Sequence, residues 1–111
     1  MPDFSPDIQA MLDDLRARLK ALYGDRLADV ILFGSVARGD ATEESDVDVL
    51  VVLHGSVDRH AENKRLSGLV IDLMEEYGWV VTPIVASTEA LQSEQWPLYR
   101  SIHSEGRSEL S

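Results

Sequence analysis

Two aspartates, Asp46 and Asp48, stand one residue apart at the head of the apolar run Val47 to Leu53, with ten residues between them and the pair Gly34-Ser35. A run of that composition reads as a strand bound for the interior. In a strand, residues two apart project to the same face. Both carboxylates therefore stand together at the edge of a hydrophobic sheet. Two like charges held there repel, and partial desolvation adds to the cost. A bound divalent cation relieves both. Mg²⁺ takes one or two protein carboxylates and completes its shell with water and phosphate oxygens.

The residues before the aspartates suit the phosphates. Leu27 to Phe33 reads as a strand that ends at Gly34-Ser35. Glycine lets the backbone turn sharply and lets a ligand approach closely. Val36-Ala37-Arg38 can open a short helix with Ser35 as its N-cap, and free N–H groups at a helix start favour anions. Arg38 can contact a phosphate or pair with Glu43 or Glu44. A strand, a Gly-Ser turn and a two-aspartate strand place phosphate donors beside a metal site, the minimum apparatus for phosphoryl or nucleotidyl transfer.

The pattern Gly34-Ser35-x-Ala37-Arg38-Gly39-x-Ala41-x-x-x-Ser45-Asp46-x-Asp48 resembles the signature of the minimal nucleotidyltransferase (MNT) family, within the superfamily that includes DNA polymerase β. Members are short prokaryotic proteins, often encoded beside a HEPN-domain RNase toxin. The resemblance implies a nucleotidyltransferase fold and a transfer of AMP from ATP, with Mg²⁺ or Mn²⁺, to a hydroxyl of a partner protein. That acceptor would be a tyrosine of a HEPN toxin, and the result its neutralisation. By the same resemblance Asp46 and Asp48 are catalytic metal ligands, Gly34 and Ser35 bind the β- and γ-phosphates, and Arg38 steadies the loop or a phosphate.

One departure counts against catalysis. Active members of the superfamily carry a third carboxylate on a strand following the aspartate pair. Here the inward candidate on that strand is Thr82, whose hydroxyl is a poor metal ligand and no base near neutral pH. Asp72 or Glu75 on the preceding helix, or Glu43 and Glu44 on the loop, are the stand-ins to consider. A second reading therefore stays open: a catalytically degenerate antitoxin or subunit that keeps the fold and neutralises its partner by binding. A transferase acting on a small molecule is a third, disfavoured because nothing in the sequence forms a substrate domain.

Composition narrows the partners. The chain of 111 residues has a net charge of −10 and a pI near 4.5. A binder of long nucleic acid needs a basic footprint, so a basic protein partner suits this surface better. There are no cysteines, which excludes disulfides, zinc thiolates and a cysteine nucleophile. Met-Pro-Asp-Phe has neither a basic n-region nor an apolar h-region, and no run reaches membrane-spanning length, so a cytoplasmic protein is expected. The length fits a single domain over 1–111. With no room for a second domain to grip base and acceptor, a partner or a second copy would complete the pocket.

The elements that must position these residues can be read in order. Ser5-Pro6-Asp7 is a helix start, and Ile8, Met11, Leu12, Leu15, Leu19 and Leu22 give that helix an apolar face up to a C-cap at Gly24. The first strand is Leu27 to Phe33 and the second Val47 to Leu53. A helix from Val57 to Tyr77 follows, apolar at Leu66, Leu69, Val70, Leu73 and Tyr77, with a solvated stretch from Asp58 to Arg65 that includes a surface His60. Gly78 ends it. The third strand is Trp79 to Ala86, and Pro83 marks it as an edge strand or a bulged one. Ser87-Thr88-Glu89 starts a further helix that Trp96-Pro97 interrupts. A last short helix runs through Ile102, and the tail from Arg107 to Ser111 is expected to be mobile. The fold class is α/β (α+β): a small mixed sheet of about three strands with helices packed mainly on one face.

Overall fold

The periodic apolar stripe of the first helix is buried as its spacing requires. In the computed structural model, which describes residues 6–33, 46–93 and 107–108, helix α1 spans Pro6–Tyr23. Ile8, Met11, Leu12, Leu15 and Leu19 are all buried. The stripe closes on Tyr23 rather than Leu22, which is exposed. Gly24 then takes a left-handed backbone (φ +56°), and one 3₁₀ turn, Gly24–Arg26, leads into the sheet.

Strand β1 is Leu27–Phe33 and β2 is Val47–Leu53, as read from the sequence. They pair antiparallel, with a register shift between Leu27 and Asp29. Strand β3, Val81–Ser87, starts two residues later than the sequence suggests and pairs parallel to β2. Residues Arg107–Ser108 form a two-residue strand, β4, against Ile31 and Leu32. That corrects the expectation of a mobile tail for these two residues: backbone pairing to a sheet edge holds them. The sheet order is β3-β2-β1-β4, so β2 is flanked on both sides. This explains why its run is apolar at every position except Asp48.

Helix α2, Arg59–Tyr77, carries the parallel crossover. Asp58 is its N-cap, its carboxylate accepting from the N–H groups of His60 and Ala61, and Gly78 is its left-handed C-cap (φ +78°). Helices α1 and α2 cover one face of the sheet over a core that includes Val30, Leu32, Val47, Val49, Val51, Leu53, Leu66, Leu73, Val81 and Val85. A short helix, α3 (Thr88–Ser93), folds onto the other face, where Ala90 and Leu91 meet Leu50, Val52 and Ala86. Ser87 caps it by accepting from the N–H of Ala90 at 3.0 Å. Trp96, Pro97 and the helix expected after them lie outside the described residues.

Pro83 sits where the strand can accept it. Val47 N–H donates to Val80 O at 2.8 Å, and Val47 pairs with Val81. In a parallel ladder this fixes the alternation: even-numbered residues of β3 bond to β2 and odd-numbered ones face outward. The ring nitrogen of Pro83 thus lies on the open edge, where its missing N–H breaks no pairing and discourages strand addition.

The start of α2 is not the wholly solvated segment that its polarity suggests. His60 is exposed, but Glu62 is 4% exposed. Its carboxylate accepts from Tyr23 Oη at 3.2 Å and pairs with Arg26 Nη1 at 3.4 Å and Arg65 Nη1 at 3.8 Å. Arg26 also donates to Ser56 O at 3.1 Å, and its own carbonyl accepts from His54 N–H at 2.8 Å. A buried carboxylate thereby ties the end of α1, the entry to β1 and the β2–α2 loop together.

Candidate active site

The parity of β2 decides where the two aspartates point. Val47, Val49, Val51 and Leu53 belong to the core beneath α1 and α2, whereas Leu50 and Val52 face the opposite side. Asp48 shares the parity of Leu50, and Asp46, one residue ahead of the strand, shares it too. Both carboxylates therefore stand on the face away from the long helices, Asp46 exposed and Asp48 half-buried.

Asp48 is the middle of a cross-strand row. Its register partners are Phe33 on β1 and Thr82 on β3. Neighbouring strands lie about 4.8 Å apart, so Thr82 flanks Asp48 directly. Thr82 has the parity of Ile84 and Ala86, which lie on the aspartate face, and it is exposed. The next row inward, Ile31–Leu50–Ile84, is an apolar floor.

The helix acids considered as stand-ins are placed elsewhere. Asp72 lies on α2, above the opposite face, and pairs with Arg18 of α1 at 3.4 Å. Glu75 is on the same helix and is exposed. Arg18 also holds Asp14 at 2.9 Å and Glu76 at 3.4 Å, and Tyr77 Oη donates to Asp14 at 3.0 Å. The hydrogen bond from Arg18 holds the Asp14 carboxyl below its usual range. These acids lace the two helices together. Gly34, Ser35, Arg38, Glu43 and Glu44 lie outside the described residues.

Among the described residues no group of three or more His, Cys, Asp or Glu side chains is placed to hold a metal ion. Two carboxylates on one face suit Mg²⁺ bound together with a polyphosphate. A separate cleft of about 370 Å³ lies between the β2–α2 loop and the start of α3, lined by Ser56, Val57, Ser87 and Thr88 among others. It sits at the carboxyl ends of β2 and β3, the far end of the sheet from Asp46 and Asp48. Sequence reasoning did not foresee Phe33 and Val80 as neighbours of the pair. The alternation of Trp79, Val80 and Val81 was the signal that could have found Val80.

The chain as a whole resembles known proteins. It is 42% identical over 90 residues to "Putative protein adenylyltransferase MJ0604" of Methanocaldococcus jannaschii, covering 80% of this chain and 84% of that one. In structure it matches a toxin–antitoxin complex crystallised with AMP-PNP, with a TM-score of 0.62 and 21% identity over 86% of this chain and 70% of the other. A complex of a tri-AMPylated Shewanella oneidensis HEPN toxin with an MNT antitoxin matches with a TM-score of 0.53 and 19% identity, over 90% of this chain and 69% of that one. These two likenesses show the fold. No helix among the described residues is long and apolar enough to cross a membrane. The sequence profile of the nucleotidyltransferase domain matches residues 12–107, and the chain belongs to that family.

Proposed function

We propose that this protein transfers AMP from ATP to a tyrosine hydroxyl of a HEPN-type toxin and so acts as its antitoxin in the cytoplasm, the whole chain serving as one minimal nucleotidyltransferase domain. The observation that carries this reading is the placement of Asp46 and Asp48 on one face at the end of the sheet, beside Phe33 and Thr82. Asp46 and Asp48 are the residues that would hold Mg²⁺ or Mn²⁺. When bound, such an ion supplies charge neutralisation of the triphosphate and orientation of its α-phosphorus. Gly34 and Ser35, directly after β1, cradle the β- and γ-phosphates, and Arg38 steadies that loop or a phosphate. Most of the rate enhancement comes from positioning and electrostatics. The names of the related proteins, an adenylyltransferase and the antitoxin partner of an AMPylated HEPN toxin, support the assignment.

The row that supports the metal site also favours a second reading. Thr82 occupies the position beside Asp48 where active relatives are expected to carry an acid, and a protein without that acid could neutralise a basic partner by contact alone. Incubation of the protein with a HEPN-type partner, labelled ATP and Mg²⁺ separates the two. Label on a partner tyrosine that disappears in the Asp46→Asn/Asp48→Asn variant supports transfer. Tight binding and toxin inhibition without label supports the contact mechanism.

A further inference from the structure

Helix α2 has an outer face that the fold itself does not use. Leu66 and Leu73 are buried on its inner side, with Leu69 and Tyr77 packed beside them. At about 100° per residue, Lys64, Gly68, Ile71 and Glu75 fall on the opposite side, and all four are exposed. Ile71 keeps 50% of its surface in solvent, and Met74, one turn on at the flank of the same stripe, keeps 44%. Single apolar residues scattered over a surface need no explanation. Here they share one helix face with a glycine and two charges that the chain alone does not account for.

Gly68 has no role within the chain. It is helical, without the positive φ of Gly24, Gly55 and Gly78, and a Cβ there would meet nothing within 4 Å. A glycine in mid-helix destabilises the helix relative to alanine, and what it offers in return is close approach of another backbone. From Glu62 onward the charges of α2 are paired within the chain, with two exceptions. Glu62 is held by Arg26 and Arg65, and Asp72 and Glu76 by Arg18. Among the described residues Lys64 and Glu75 have no ion-pair partner. They stand about 16 Å apart along the helix axis, too far to meet each other.

We propose that a second copy of this chain docks on this face, α2 against α2 and antiparallel, about a twofold axis between Leu69 and Val70. That centre sets Gly68 against the partner's Ile71, whose side chain fills the space the glycine leaves. The same centre sets Lys64 against the partner's Glu75. Each contact occurs twice, as an isologous interface requires. The one register that seats isoleucine on glycine thus also joins the two unpaired charges. A net charge of −10 opposes association of copies in general, and the two lysine–glutamate pairs offset it at the contact. The interface is one helix wide, well below the roughly 800 Å² per partner of a standard one, so the dimer is weak and depends on concentration. Asp46 and Asp48 stand on the far face of the sheet. The two aspartate faces therefore lie on opposite outer sides of the dimer, and docking does not depend on the transferase reading.

Sedimentation equilibrium of the full chain between about 10 µM and about 1 mM tests this. Wild type should pass from monomer toward dimer mass over that range. Gly68→Gln adds a side chain for which the single chain has room, so its urea midpoint should hold or rise while its dimer is lost. Lys64→Glu and Glu75→Lys should each weaken the dimer about tenfold, since each sets two like-charged pairs across the contact. Net charge alone would instead have Glu75→Lys strengthen it. Lys64→Glu/Glu75→Lys should restore the dimer, because the pairs are only exchanged, and the two residues cannot reach each other within one chain. A wild type that stays monomeric to about 1 mM overturns the proposal and leaves the face to a different protein. Gly68→Gln dimerising like wild type, or a double variant as weak as the single ones, overturns it as well.

Discussion

The buried carboxylate of Glu62 makes a prediction whose size can be worked from the structure. Tyr23 is 6% exposed and donates its hydroxyl to Glu62 at 3.2 Å. Burial, then the negative charge of Glu62 and the hydrogen bond to it, push the Tyr23 hydroxyl up to about 12. An unfolded tyrosine titrates near 10. The folded state therefore holds its proton where the unfolded state begins to release it. This contribution is fully present below pH 10 and is lost as pH rises toward 12. Linkage gives a loss of about 1.4 kcal/mol by pH 11. Tyr23→Phe removes both effects. At pH 8 it should cost about 1–2 kcal/mol, because Glu62 keeps its arginines but loses a donor. At pH 11 wild type has given up a similar amount, so the gap between the two proteins should close to near zero. Tyr77, whose hydroxyl is also pushed up, first by its bond to Asp14, titrates in both proteins and cancels. Urea unfolding followed by circular dichroism at the two pH values measures the gap. A gap that stays constant from pH 8 to pH 11 would refute the coupling between Tyr23 and Glu62.

Three further outcomes are expected. Asp46→Asn/Asp48→Asn should weaken Mg²⁺-ATP binding by at least about tenfold in calorimetric titration, since the ion loses both of its protein carboxylates; equal affinity would remove the two-aspartate site. Thr82→Asp adds a carboxylate in the row of Asp48 and should tighten Mn²⁺ binding and raise any transfer, read by titration and by label incorporation. If neither moves, residue 82 is not part of the metal site. Pro83→Val restores a backbone donor on the open edge of β3 and should promote concentration-dependent self-association by light scattering, while a strictly unchanged molecular mass would show that the edge is guarded by something else.

Much of this arrangement was legible because local and tertiary demands agree. The bounds of β1 and β2 follow from apolar runs broken by Asp29 and Asp48 alone, and a run buried on both faces has one place to go, the middle of the sheet. The spacing of Asp46 and Asp48 puts them on one face, but β2 is apolar at both parities, so which face it is comes only from the packing of α1 and α2. Pro83 pointed to an edge strand or a bulged one, since it cannot donate in the middle of a ladder, and β3 lies at the edge. What could not be read depended on contacts distant in sequence. Glu62 sits in a polar stretch, and only the approach of Tyr23 and Arg26 from the end of α1 makes its burial tolerable. Leu22 and Tyr23 are adjacent, and either could have closed the helix stripe; the phenol wins because its hydroxyl finds Glu62. Two residues at the end of the chain gave no strand signal, since pairing with Ile31 and Leu32 alone makes β4.

The two-layer arrangement also bears on the missing acid. The helix layer holds Asp14, Asp72, Glu75 and Glu76, but α1 and α2 pack on the face of the sheet opposite Asp46 and Asp48. No side-chain rotation carries an acid through a sheet whose central strand is buried from Val49 to Leu53. A third carboxylate for this site must therefore come from the aspartate face. Within the chain, the candidates from the sequence reading that remain are the segment carrying Glu43 and Glu44 and the position of Thr82. A partner arriving over β3, beside Val80 and Thr82, is another source. A partner that brought its own carboxylate there would make transfer conditional on the complex, and activity measured on the isolated chain would then understate it.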